Sequence, residues 1–452
     1  TTNMQSKYSF PGYVYDTKVW KYLLENFSND NDFIIILKPH PHEDVSEFEK
    51  ILNELKSTNS VILQGNLQEL LSISDMSPRI FIITGEPSGD LHGSNLVKAI
   101  KALNPDAEIA CWGGDKMASA GARVVKHIDD LAFMGFVEVA ANLRTILKNF
   151  KLCKQHIEEF KPDLVVHIDY PGFNLRIAKT MTELGIENVY YISPQIWAWK
   201  ESRVKKVKKW LKHVFVILPF EKQFYEKHGV EAEFVGHPLL DEVEAIQVDQ
   251  HEFRLKHGLD SSKAIVALLP GSRTQEINLL LPEFRAVVKA FPEYQFVVSK
   301  VPWQSRDLYD RLSENAAVLE GNTYDLIAHA EAAIVTSGTA TLETALIGTP
   351  QVVVYKANPI SVMIARFLVR VKYISLVNLV MDREVVTELI QKDVNAKSLV
   401  NELSKILEGG SSRADVLKEY LDLKHRLGDK GASDLVANRL LKIIANTNTS
   451  TE

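Results

Sequence analysis

The sequence predicts an α/β protein built mainly of two doubly wound, Rossmann-like domains facing a cleft, with a partial α/β fragment ahead of them. Two observations lead there. Short, uninterrupted apolar runs alternate with amphipathic, helix-like stretches along almost the whole chain. Runs of that length suit strands buried on both faces, hence parallel sheets with helices on each side. The alternation also breaks twice, at residue 76 and over residues 219–248.

Taken in order, Phe33-Ile-Ile-Ile-Leu-Lys-Pro-His-Pro-His42 reads as a buried strand ending in a polar turn. A helix over 45–57 and a strand over 61–63 follow. The short helix expected over 67–75 should feed another strand, but Met76-Ser-Pro-Arg79 opens a new, complete α/β pattern instead. Residues 1–75 are therefore expected to be a piece unrelated to the rest. Strands at 79–84, 164–168, 189–192 and 214–218 belong to a first domain, 76–245. Gly229, Gly236, Pro238 and a charged stretch then interrupt the pattern. A second domain, 246–412, carries strands at 264–269, 295–298, 333–335 and 351–355. The tail, 413–452, reads as helix to about residue 444, with apolar residues at Val416, Tyr420, Leu423, Val436 and Leu440.

Composition narrows the classes. A chain of 452 residues exceeds one ordinary core. A formal net charge of −6 argues against a general nucleic-acid binder. Cys111 and Cys153 form no CxxC, so neither a disulfide framework nor a thiolate metal site is expected, and a reducing cytoplasm fits. No run approaches the ~18 apolar residues of a membrane span. The first residues lack the basic and apolar regions of a secretory signal, so any membrane contact is expected to be peripheral.

Four strand-end turns carry chemistry. Gly85-Glu-Pro-Ser-Gly-Asp-Leu-His-Gly93 places small residues between a strand and a helix, where backbone can approach a ligand. A plain Gly-rich turn has the same spacing. The turn lacks GxGxxG spacing, and no acidic residue at a strand end completes a dinucleotide fingerprint, so a dehydrogenase is discounted. His167-Ile-Asp-Tyr-Pro-Gly-Phe-Asn174 puts Asp169 at the carboxyl end of a parallel strand, suited either to general-base work or to capping the next helix. Pro270-Gly-Ser-Arg273 with Glu276, and Ser337-Gly-Thr-Ala-Thr-Leu-Glu343, are two similar turns in the second half. Together they would aim N–H groups, hydroxyls and the Arg273 guanidinium at a pyrophosphate, with Glu343 near a ribose. No HExxH, acidic loop pair or His/Cys cluster suggests a metal.

Weaker signals are Ile192-Ser-Pro-Gln-Ile-Trp-Ala-Trp199, the basic run Arg203-Val-Lys-Lys-Val-Lys-Lys-Trp-Leu-Lys212, and the apolar stretch 132–147. The first is substrate wall or core. The second is a solvated helix face or a contact with anionic lipid. The third is a core helix or an apolar patch near the cleft.

These turns, with Met134-Gly-Phe-Val-Glu-Val139, Pro219-Phe-Glu221, Val235-Gly-His-Pro238, Ser375-Leu-Val-Asn378 and Glu388-Leu-Ile-Gln391, occur in one order. In that order, from Met76 to about Ile444, the sequence resembles the lipid-A-disaccharide synthases. The resemblance implies a GT-B architecture, with acceptor in the first domain and UDP in the second. It implies transfer of 2,3-diacylglucosamine from its UDP derivative to 2,3-diacylglucosamine 1-phosphate, with no cofactor, at the cytoplasmic face of the inner membrane. By position Asp169 matches the family's essential aspartate. Arg273, Glu343 and Asn378 match its UDP side, to which Gly271, Ser272, Glu276, Ser337, Gly338, Thr339 and Thr341 are added. Acceptor-side candidates are Glu86, Ser88, Gly89, Asp90, Phe136 and Gln195. The departure is Val377, where a proline is common.

Residues 1–75 differ. Ile35-Ile-Leu-Lys-Pro-His-Pro41 and the segment to Asp75 are similar to the second half of another GT-B transferase, of the kind that handles polyol phosphates or capsular sugars. The similarity ends where a phosphate-binding turn is due, so no activity is assigned to it. Two alternatives remain for the larger part: a related transferase using a different UDP-sugar, and a non-catalytic binding module. The presence of Asp169, Arg273 and Glu343 counts against the second.

Overall fold

The computed structural model describes residues 77–131, 143–199, 201–244, 246, 249–310, 316–358 and 372–449, and before them two short strands. Those strands, β1 (Ile35–Leu37) and β2 (Ser60–Ile62), pair in parallel. They lie in a compact unit that ends at Met76; Ser77–Glu452 forms the other unit.

The larger unit holds two all-parallel sheets. In the first, β3 (Arg79–Ile83), β4 (Glu108–Gly113), β5 (Arg123–His127), β6 (Leu164–Ile168), β7 (Asn188–Tyr191), β8 (His213–Val216) and β9 (Glu233–Phe234) lie in the order β5-β4-β3-β6-β7-β8-β9. In the second, β10 (Ile265–Leu269), β11 (Gln295–Lys300), β12 (Ala316–Glu320), β13 (Ala330–Thr336), β14 (Gln351–Tyr355) and β15 (Glu388–Ile390) lie in the order β12-β11-β10-β13-β14-β15. Both orders run outward from the first strand and then reverse, which is the doubly wound topology. The reversal falls between β3 and β6 in one sheet and between β10 and β13 in the other.

Burial explains why the apolar runs were readable. Every residue of β6 and β10 is buried, because helices cover both faces. The strands not picked out as apolar runs are mostly peripheral. β5 (Arg-Val-Val-Lys-His) and β12 (Ala-Ala-Val-Leu-Glu) are edge strands with mixed, partly exposed residues.

The tail is expected to be C-terminal helices. It forms two helices, Arg413–Arg426 and Ala432–Thr449, separated at Gly428 and Gly431, both with positive φ. The second crosses back to pack on α1 (Pro87–Leu103) of the first domain. The two halves also share an apolar joint, in which Leu218 and Leu239 meet Leu342, Leu346, Val377 and Tyr420.

Candidate functional site

The first half of the site sits at the switch point between β3 and β6. α1 starts at Pro87, directly after the Gly85-Glu86 turn, with Glu86 at its N-cap position. Asp169 follows β6. It and Tyr170 have φ of 44° and 50°, left-handed values that cost a non-glycine residue about 1–3 kcal/mol each. Tyr170 caps α3 (Pro171–Glu183), whose first position is Pro171. Burial pushes the Asp169 carboxyl from 3.8 up to about 6; the neighbouring Glu86 carboxylate adds to this, and the Tyr170 N–H opposes it. Tyr170 fits there because Gly85 lacks a Cβ, which would come within 2.5 Å of its ring.

The second half is a cavity of about 440 Å³ at the switch point between β10 and β13. Gly271, Ser272, Arg273 and Glu276 line one side of it, and Ser337, Gly338, Thr339 and Glu343 the other. Gly271 has φ 96°, and a Cβ there would meet the Glu276 carboxylate at 2.6 Å. Arg273 stands at the N-cap position of α4 (Thr274–Ala290), its side chain 68% exposed and paired with Glu276 at 3.1 Å. The guanidinium is thus oriented, yet open to an anion. α5 (Thr339–Ile347) starts at the opposite wall behind Gly338, its first N–H groups at the pocket. Trp303 closes the rim, and its indole N–H donates to the Ser272 carbonyl at 3.3 Å.

The halves meet at Glu242, in the helix Leu239–Glu244. Its carboxylate accepts from Asn95 Nδ2 at 3.3 Å, lies 3.5 Å from His92 Nδ1, and accepts from the Tyr324 hydroxyl at 3.4 Å. Burial, and next the Glu242 carboxylate, pushes Glu343 up to about 7, while Tyr324 and Thr339 hydrogen-bond to it.

The family model for lipid-A-disaccharide synthetase matches residues 80–439. The chain belongs to this family. The lipid-A-disaccharide synthase of Acidobacterium capsulatum is 38% identical over 375 residues, covering 79% of this chain and 94% of that protein. Among solved structures, the UDP-GlcNAc 2-epimerase from Neisseria meningitidis bound to UDP-GlcNAc has a TM-score of 0.58 at 11% identity, covering 81% of this chain and 100% of that one. CalG4, the calicheamicin glycosyltransferase, has 0.54 at 16%, covering 82% and 99%. These likenesses concern the fold, which is GT-B.

Within this lipid-A-disaccharide synthetase fold, the sequence candidates separate into two groups. Glu86 is close enough to Asp169 to raise its carboxyl, and the eight residues of the two phosphate-type turns share one pocket. Others are committed elsewhere. Asp90 is buried and accepts from the N–H groups of Gly114, Lys116 and Met117 at 2.7–3.2 Å, so it anchors a neighbouring turn. Gly89 is buried against Thr84, whereas Ser88 is exposed. Ser337 donates its hydroxyl to the Ile374 carbonyl and its N–H to Val354, which leaves its oxygen only as an acceptor. Thr341 is fully buried and donates to the Gly338 carbonyl at 2.8 Å. Asn378 is fully buried as well. Its amide donates to Val386 O and Glu388 and accepts from Val385 and Val386 N–H, bracketing the loop before β15.

Gln195 is exposed on a loop held by Glu221, which accepts from Ser193, Trp197, Ile217 and Leu218. Phe136 lies outside the described residues. Among the described residues no group of three His, Cys, Asp or Glu side chains is placed to hold a metal, and no helix is long and apolar enough to cross a membrane. Sequence reasoning did not single out Glu242, Tyr324, Trp303 or His92. Only His92 lay inside a recognised motif; the others lie in the segments between the motifs.

Proposed function

We propose that the chain transfers 2,3-diacylglucosamine from UDP-2,3-diacylglucosamine to 2,3-diacylglucosamine 1-phosphate, forming a β-1′,6-linked disaccharide and UDP. The observation that carries this reading is the pairing of a half-buried carboxylate at one switch point with an anion-ready pocket at the other. Asp169 takes the proton of the acceptor's 6-hydroxyl as that oxygen attacks the donor's anomeric carbon. The bond from that carbon to the β-phosphate oxygen breaks with its electron pair leaving on UDP, and configuration inverts. Arg273, the Thr339 hydroxyl and the N–H groups at the start of α5 meet the charge growing on the β-phosphate. Glu343 accepts from the ribose hydroxyls, a role that supplants its bonds from Tyr324 and Thr339. Residues 76–245 form the acceptor domain, 246–412 the UDP domain and 413–452 the helical tail; residues 1–75 take no part.

Both sugars carry acyl chains, so the protein works against the cytoplasmic face of the inner membrane. The helix Val204–Trp210 supports this, with Val204 and Val207 buried and Lys205, Lys206, Lys208 and Lys209 exposed. Leu147 is 51% exposed near the start of α2 (Leu143–Phe160). Incubating the purified protein with both sugars should release UDP and disaccharide in equal amounts. Absence of both products would end this reading, and turnover of a different UDP-sugar would redirect it to another donor.

A further inference from the structure

We propose that Tyr190 and Asn174 are positioning residues, which together clamp the peptide carrying Asp169 and so aim its carboxylate. The inference rests on Asp169 as the base. Asp169 and Tyr170 form a consecutive left-handed pair at φ 44° and 50°, a conformation that persists only where its surroundings over-determine it. Three neighbours do so. Tyr190, on β7 and fully buried, donates its hydroxyl to the Asp169 carbonyl at 2.5 Å. Asn174, fully buried in the first turn of α3, directs its amide at the carbonyls of Asp169, Ile168 and Ile83 at 2.8, 3.2 and 3.3 Å. It thereby joins the ends of β6 and β3. The Tyr170 ring is seated in the space left by Gly85.

Both polar side chains grip backbone rather than carboxylate, which leaves the acidic group for the substrate. Releasing the Asp169 carbonyl would let the peptide relax towards negative φ, turning the Cα–Cβ bond and swinging the carboxylate aside. A misplacement of about 1 Å is enough to lower a rate on the order of 10²-fold.

Tyr190→Phe removes the hydroxyl and keeps the ring in its slot. Turnover should fall about 10- to 100-fold, with KM for both sugars and Kd for UDP held within about twofold. In an Asp169→Asn background the same change should leave the residual rate as it was, because no base remains to be aimed. Asn174→Ser should show the same non-additivity, and it carries the comparison alone if Tyr190→Phe fails to fold. Full turnover by Tyr190→Phe, or an equal loss in both backgrounds, would overturn the clamp and leave Asp169 as base. An active Asp169→Asn enzyme would overturn the base, and the clamp with it.

Discussion

Replacing Asp169 by Asn should make the protein more stable while making it a poor enzyme. In the fold the carboxyl is raised from 3.8 to about 6, chiefly because burial disfavours its charge. An ionised Asp169 at pH 7 therefore weakens the folded state, by at most about 3 kcal/mol. The sign follows from proton binding: the folded protein holds this proton more tightly than the unfolded chain. Wild-type stability thus gains from this group as pH falls through 6, and the gain is complete below 3.8. Asn is uncharged at every pH and tolerates the left-handed backbone, so the variant lacks the penalty. Urea unfolding followed by tryptophan fluorescence, with Trp112 buried in the first sheet, should show Asp169→Asn ahead of wild type at pH 7. The gap should close between pH 6 and pH 4. Turnover should drop ~10²–10⁴-fold, with UDP affinity unchanged. In the wild type, turnover at pH 5 should be about a tenth of its plateau, since one carboxylate in about ten is ionised there. Equal stability of the two proteins at pH 7 would refute the desolvated carboxylate. More than about a tenth of the wild-type rate would remove Asp169 as the base.

Arg273→Ala should weaken UDP binding and lower turnover on the order of 10²-fold, by removing a charge-bearing donor from the leaving group; unchanged Kd and kcat would exclude it. Activity should persist in excess chelator, and an abrupt loss restored by added metal would contradict the roles given to Arg273 and α5. Ser at both Phe136 and Leu147 should release the protein from anionic vesicles and raise KM while it stays folded; unfolding, with unaltered vesicle binding of the folded fraction, would assign these residues to the core. Removing residues 1–75 should leave turnover within about twofold, and an inactive but folded product would give that segment a role.

The sequence alone carried the fold class, because strands buried on both faces must be written as unbroken apolar runs, and β6 and β10 are. It also carried the glycine-bearing turns, since a Cβ at Gly85 or Gly271 would clash with Tyr170 or Glu276. Edge strands such as β5 and β12 escaped, for a half-exposed strand has no continuous apolar signature. What each motif residue bonds to was a tertiary decision. Asp90 and Asn378 are site candidates in the sequence; in the fold Asp90 accepts from the Gly114, Lys116 and Met117 N–H groups, and Asn378 bonds the Val385 and Val386 backbone and the Glu388 carboxylate, partners that only folding brings near. Glu242 looks like any acidic residue of a surface helix, until the two domains bring Asn95 and Tyr324 to it. The Asp169 carboxyl is raised for the same reason: its environment is assembled from β3, β6 and α1, and no local stretch of chain encodes a desolvation that distant elements create.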